Sequence, residues 1–92
     1  NINFGRKGKF LSSHGYDENY GRDEWINFGA DKTKMNEWGV FDDYLLTKAK
    51  EKLKELHRTN QRFNLTLLTV EMHYPRGYYS PTCLERGAKT YE

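Results

Sequence analysis

The chain has 92 residues, room for one small domain at most, and a chain this short buries only a modest fraction of its surface. Hydrophobic residues make up 36% of it, with 7 Tyr, 5 Phe and 2 Trp among them, and mean hydropathy is -1.01, so an independent core is thinly supplied. The 15 basic and 13 acidic residues are spread along the chain and leave a formal charge of +2, which argues against a nucleic-acid-binding face.

A lone cysteine, Cys83, excludes an internal disulfide and leaves the redox compartment open. No apolar run approaches the roughly 18 residues of a membrane helix, and no secretory leader is read. The opening Asn1-Ile2-Asn3-Phe4, without an initiator Met, suits a segment excised from a longer protein. There is no internal repeat and no low-complexity tract.

Glycines punctuate the first third. A short helix is predicted from about Lys7 to His14, closed by Gly15 just past its C-cap, and a second from about Asp23 to Phe28, ended by Gly29. The clearest helix follows Trp38-Gly39-Val40-Phe41. Asp42 and Asp43 open it, where carboxylates accept from free first-turn amides and face the positive end of the dipole. Leu45, Ala49, Leu53 and Leu56 form one apolar stripe, Lys48, Lys50, Glu51, Lys52, Lys54 and Glu55 the opposite face, and His57 and Arg58 precede a break at Thr59-Asn60.

After a short connection, Phe63 to Val70 is nearly continuous apolar and β-prone sequence, the pattern of a strand covered on both faces. Helix, connection and strand read as the second half of a βαβ unit, with 1–4 and 89–92 as weak candidates for neighbouring strands. In open α/β sheets ligands bind beyond the carboxyl ends of such strands, which is where Glu71-Met72-His73-Tyr74-Pro75 lies. From Pro75 to Cys83 the Pro and Gly content reads as loop.

Several stretches occur in a telling order: Gly8-Lys9-Phe10-Leu11 leading to His14-Gly15-Tyr16-Asp17; Glu37-Trp38-Gly39-Val40 with Asp42-Asp43; the helix; and Leu65-Thr66-Leu67-Leu68-Thr69-Val70 followed by His73-Tyr74-Pro75, Gly77, Ser80-Pro81 and Cys83. In that order they resemble the extracytoplasmic catalytic domain of bacterial phosphoglycerol transferases, the membrane-derived-oligosaccharide and lipoteichoic-acid-synthase branch of the alkaline phosphatase and sulfatase superfamily. The resemblance implies an α/β sandwich with a mostly parallel sheet, a divalent metal, and a threonine nucleophile that passes through a covalent phospho-intermediate. Neither the threonine motif nor an Asp-His metal pair is recognised in this sequence. By the same resemblance His73 matches a histidine that contacts the phosphoglycerol group. Where lipoteichoic acid synthases carry a Trp and an Arg, this chain has Gly5 and Lys7. That leaves a cationic contact from Lys7 or Arg6 without a tryptophan wall, and favours the membrane-derived-oligosaccharide branch.

Alternative roles stand beside these. His73 either contacts a ligand or orders the Pro-rich loop; His14 and His57 suit helix-end interactions. Asp42 and Asp43 read as caps rather than a metal or acid/base pair. Glu71 either lines the cleft or faces solvent. Cys83 has no metal-ligand spacing. Phe4-Gly5-Arg6-Lys7-Gly8-Lys9 has the composition of a phosphate cradle without the full pattern. The glycosylation sequon at Asn64-Leu65-Thr66 falls in the predicted buried strand and is set aside. Tyr74, Tyr78 and Tyr79 either stack on a ligand or cover a sheet edge.

The expected fold class is therefore α/β: a fragment of an alkaline-phosphatase-like α/β sandwich, one main amphipathic helix followed by one buried strand. Residues 1–92 are expected to be a single partial domain, the middle of a larger catalytic domain. The expected function is that of a segment of a metal-dependent phosphoglycerol transferase or phosphodiesterase, inactive alone. It contributes His73, Lys7 and Arg6 to the substrate site and no catalytic or metal-binding residue. The divalent metal, manganese or magnesium with zinc as an alternative, belongs to the full-length parent. Expected partners are the rest of that domain, a phospholipid head group or glycan acceptor, and further copies through strand pairing, but no nucleic acid. The parent is expected in the bacterial inner membrane with its catalytic domain periplasmic. The alternatives are a sulfatase-like hydrolase segment, told apart by its nucleophile, and a small non-enzymatic module binding anionic lipid or glycan through Arg6, Lys7, Lys9 and the Tyr-rich tail.

Overall fold

Local helix signals account for most of the regular structure in the computed structural model, which describes residues 2, 4–73 and 77–89. The helices are α1 (Lys7–Ser13), α2 (Arg22–Asn27), α3 (Asp42–Arg58) and α4 (Pro81–Glu85), with single 3₁₀ turns at Phe4–Arg6 and Lys32–Lys34. The chain divides into two units, Asn1–Val40 and Phe41–Glu92.

In the first unit α1 stops as its sequence predicts. Gly15 takes φ 87°, a left-handed conformation that a side chain disfavours. It lets Tyr16 N donate back to Leu11 O (3.1 Å) and Gly15 N to Ser12 O (3.4 Å), the Schellman closure. The same pair of bonds closes α2, from Ala30 N to Trp25 O and Gly29 N to Ile26 O, both 3.0 Å. At the start of α2 the Glu24 carboxylate accepts from Gly21 N (2.8 Å), half of a capping box. Ile2 lies between two glycines: its carbonyl accepts from Gly8 N (2.8 Å), and a Cβ on Gly21 would stand 2.5 Å from Ile2 Cβ. Asn36 organises the approach to residue 40. Its Oδ1 accepts from Trp38 N (2.8 Å) and Gly39 N (3.1 Å), its own N donates to Gly39 O, and Met35 and Val40 form an isolated antiparallel bridge.

In the second unit α3 runs from Asp42 to Arg58 as the stripe predicts, and Asn60, at φ 55°, ends it in a left-handed conformation that Asn tolerates. Leu46, Ala49, Lys50 and Leu53 of α3 form an open groove of about 310 Å³ with Leu65 and Leu67, two residues apart as on one face of an extended chain.

The α/β sandwich expected from the sequence is not what the structure contains. Among the described residues there is no strand and no sheet; 62–70 forms no ladder, and Leu68 is 72% and Phe63 44% exposed. The physical reason is that β-propensity measures packing against neighbours on a pleated surface, and this run has no paired neighbour here. The only buried apolar side chains are Val40 and Phe41, again among the described residues. The tail differs too. Pro81–Glu85 is helical, because buried Ser80 caps it through its Oγ, which accepts from Cys83 N (3.3 Å), and Pro81 fits its first turn. Of the proposed neighbouring strands, 1, 3 and 90–92 lie outside the described residues, as do Tyr74 and Pro75.

The crowding at Gly21 gives a test. Gly21→Ala forces its methyl into Ile2 and is expected to destabilise the first unit by about 1–3 kcal/mol. Amide exchange should quicken in α1 and α2 and stay unchanged in α3.

Candidate functional site

A helix begins with free amides that need acceptors. In α3 the third-position amide, Tyr44 N, is satisfied locally by Asp43 Oδ1 (2.7 Å), the capping role read from the sequence. Asp42 behaves differently. Its own amide donates to Glu71 Oε1 (3.0 Å), and its Oδ1 accepts from Val70 N (2.8 Å). The two bonds run in opposite directions between segments 29 and 28 residues apart, so each segment supplies an acceptor to the other's backbone.

Directly after Val70 the chain turns. His73 N donates to Val70 O (3.1 Å), which makes 70–73 a four-residue β-turn with Glu71 and Met72 at its corners. Glu71 O in turn accepts from Tyr78 N (2.6 Å). His73 leaves this turn exposed, not packed into an interior. Burial pushes the Glu71 carboxyl above its ordinary value; the Asp42 amide pulls it back, and the Asp42 and Asp43 carboxylates push it up again.

Arg6 and Lys7 lie in the first unit, and both are exposed. Gly5 and Arg6 take successive left-handed conformations (φ 62° and 59°), and Lys7 is the first residue of α1. His14 caps α1 as expected, its Nδ1 2.7 Å from Phe10 O and its ring stacked on Phe10 at 4.0 Å. Among the described residues no group of three or more His, Cys, Asp or Glu side chains converges as a metal site would require. Nor is any helix among them long and apolar enough to cross a membrane.

Phosphoglycerol transferase I of Escherichia fergusonii is 47% identical to this chain over 83 residues, 90% of the chain and 11% of that protein. The proteins of the same name from Citrobacter koseri and Escherichia coli are each 46% identical over 83 residues, with the same coverage. The chain is homologous to a segment of phosphoglycerol transferase I. It corresponds to one segment of such an enzyme, 11% of the length of these relatives. No protein-family model and no solved structure matches it.

The sequence points to His73 as a substrate contact and leaves the role of Glu71 open. No local spacing signals a cap that arrives from 29 residues away. Asn36 was also missed, although an Asn two residues before a backbone amide it accepts from is a recognised turn signal.

The cap makes a prediction. Glu71→Ala strips the acceptor from Asp42 N and is expected to cost about 0.5–2 kcal/mol in thermal unfolding. Glu71→Gln keeps an acceptor and removes the charge beside Asp42 and Asp43. Because the folded-state pKa of Glu71 is raised, its favourable contribution is complete below the ordinary carboxylate range and is lost as pH rises through the raised value. Unfolding midpoints should therefore fall over that window in the parent chain relative to Glu71→Gln.

Proposed function

We propose that this chain forms part of the catalytic domain of a metal-dependent phosphoglycerol transferase and supplies substrate contacts rather than the nucleophile. The observation that carries the reading is the 46–47% identity to phosphoglycerol transferase I across 90% of the chain. In this reading residues 1–92 are the middle of a larger domain and are inactive when separated from it. The location proposed for the whole enzyme is the inner membrane, with this domain on the periplasmic side.

His73 is the proposed contact to the phosphoglycerol group. Exposed beyond the turn, a neutral imidazole shares one hydrogen bond with a phosphate or glycerol oxygen, and a protonated one adds charge assistance. Arg6 or Lys7, in the first unit, is proposed separately as a cationic substrate contact, Arg with two parallel donors and Lys as a point charge. The divalent metal, manganese, magnesium or zinc, would stabilise charge developing on the phosphoryl oxygens. Its ligands are proposed to lie in other parts of the longer enzyme, as the family resemblance implies. The remaining partners are the rest of that domain and a phospholipid head group or glycan acceptor.

In the full-length enzyme carrying this chain, His73→Ala is expected to lower transfer of glycerol phosphate roughly 10- to 100-fold, the loss of one charge-assisted hydrogen bond. Lys7→Ala should raise KM more than it lowers kcat. The 92-residue chain alone, supplied with Mn²⁺ and a phosphodiester, should show no turnover; hydrolysis under those conditions refutes the reading.

A further inference from the structure

Asp42 and Glu71 exchange bonds across almost thirty residues of chain. Asp43 already serves α3 locally, and its neighbour's carboxylate is instead turned across to Val70 N. Glu71, the first corner of the turn that ends in His73, is held at both its side chain, by Asp42 N, and its carbonyl, by Tyr78 N. Val70, the opening residue of the same turn, is held at its amide by Asp42 and at its carbonyl by His73 N. A β-turn on its own is weakly determined, and many lack even the closing hydrogen bond. This one is bonded from outside as well as across itself.

We propose that the reciprocal Asp42–Glu71 bonds position His73: they anchor the Val70–His73 turn to the first turn of α3, so the direction in which the imidazole leaves the backbone is set by two carboxylates that do not touch the ligand. The proposal rests on the reading that His73 contacts a phosphoglycerol group, and it makes Asp42 and Glu71 positioning residues. Glu71 is two residues from His73, and the anchor it holds is the amide of the first residue of a 17-residue helix. The cost of losing it falls on orientation, and small misplacements of a binding group are expensive.

The experiment uses the full-length enzyme carrying this chain, labelled with ¹⁵N and ¹³C in histidine, observed by NMR with and without glycerol 1-phosphate, the His73 signals being assigned by their loss in His73→Ala. Glu71→Ala is expected to move the His73 amide and ring resonances and to weaken glycerol 1-phosphate binding about tenfold. Glu71→Gln, which keeps the acceptor, should leave both close to the parent. Leu56→Ala, which lowers stability from the far end of α3, should leave the His73 resonances in place. Where Glu71→Ala fails to fold, Asp42→Ala removes the acceptor for Val70 N, keeps the backbone amide that donates to Glu71, and serves the same comparison. The proposal is overturned if His73 signals stay where they were in the Ala variants, or if Leu56→Ala moves them as far. The resonance arm needs no ligand, so His73→Ala binding glycerol 1-phosphate as tightly as the parent overturns the ligand-contact reading separately.

Discussion

The second unit depends on one exchange: the amide of Asp42 to the carboxylate of Glu71, and the carboxylate of Asp42 to the amide of Val70. Each bond satisfies a backbone amide that the local sequence leaves without a partner, and together they fasten the N-terminus of α3 to the segment that follows it by almost thirty residues. Hydrogen bonds to charged acceptors are the stronger ones in a protein. They also carry a tension. Glu71 gains the Asp42 amide but stands near the carboxylates of Asp42 and Asp43, and burial adds to the cost of its charge. The helix N-terminus offsets part of this concentration of negative charge, because the free amides and the dipole both favour it.

Elsewhere the architecture is a matter of helix ends. The pairs of bonds that close α1, α2 and α4 are of one kind, and Glu24, Asp43 and Ser80 each supply an acceptor to a starting turn. These are short-range devices, each complete within a few residues. They explain why short helices persist in a chain whose buried apolar side chains, among the described residues, are Val40 and Phe41. The ion pairs along α3, Lys48–Glu51 at 3.0 Å and Lys52–Glu55 at 3.3 Å, are exposed and add little.

What could be read from the residues follows the same division. Where one turn of chain decides the outcome, as at Gly15, Asp42-Asp43 and Asn60, the predicted boundaries fall at or within about one residue of those observed, as helix boundaries generally do. Ser80-Pro81 carried an equally local signal, a capping hydroxyl before a proline, that the Pro and Gly content around it obscured. Where the outcome depends on distant partners, the sequence misled. Phe63 to Val70 has the composition of a covered strand, but a strand is defined by its ladder, and none forms here. The Asp42–Glu71 exchange is the opposite case: a real long-range contact with no periodicity to announce it.

The loss of the strand changes the reason for attending to His73. The sheet-end rule that first singled it out requires a sheet, so it no longer supplies an argument. What remains is independent of it. The histidine stands within a sequence 46–47% identical to phosphoglycerol transferase I, and it is exposed at the end of a turn bonded to a helix terminus. A turn anchored in this way can present a side chain reproducibly without a sheet beneath it. The apolar residues around it behave differently: Leu68 at 72% and Met72 at 76% exposure show that this part of the chain does not close over its own hydrophobic surface. Hydrogen bonding at the turn and openness around it are compatible, because the first is a matter of bonds to named atoms and the second of apolar area left in water.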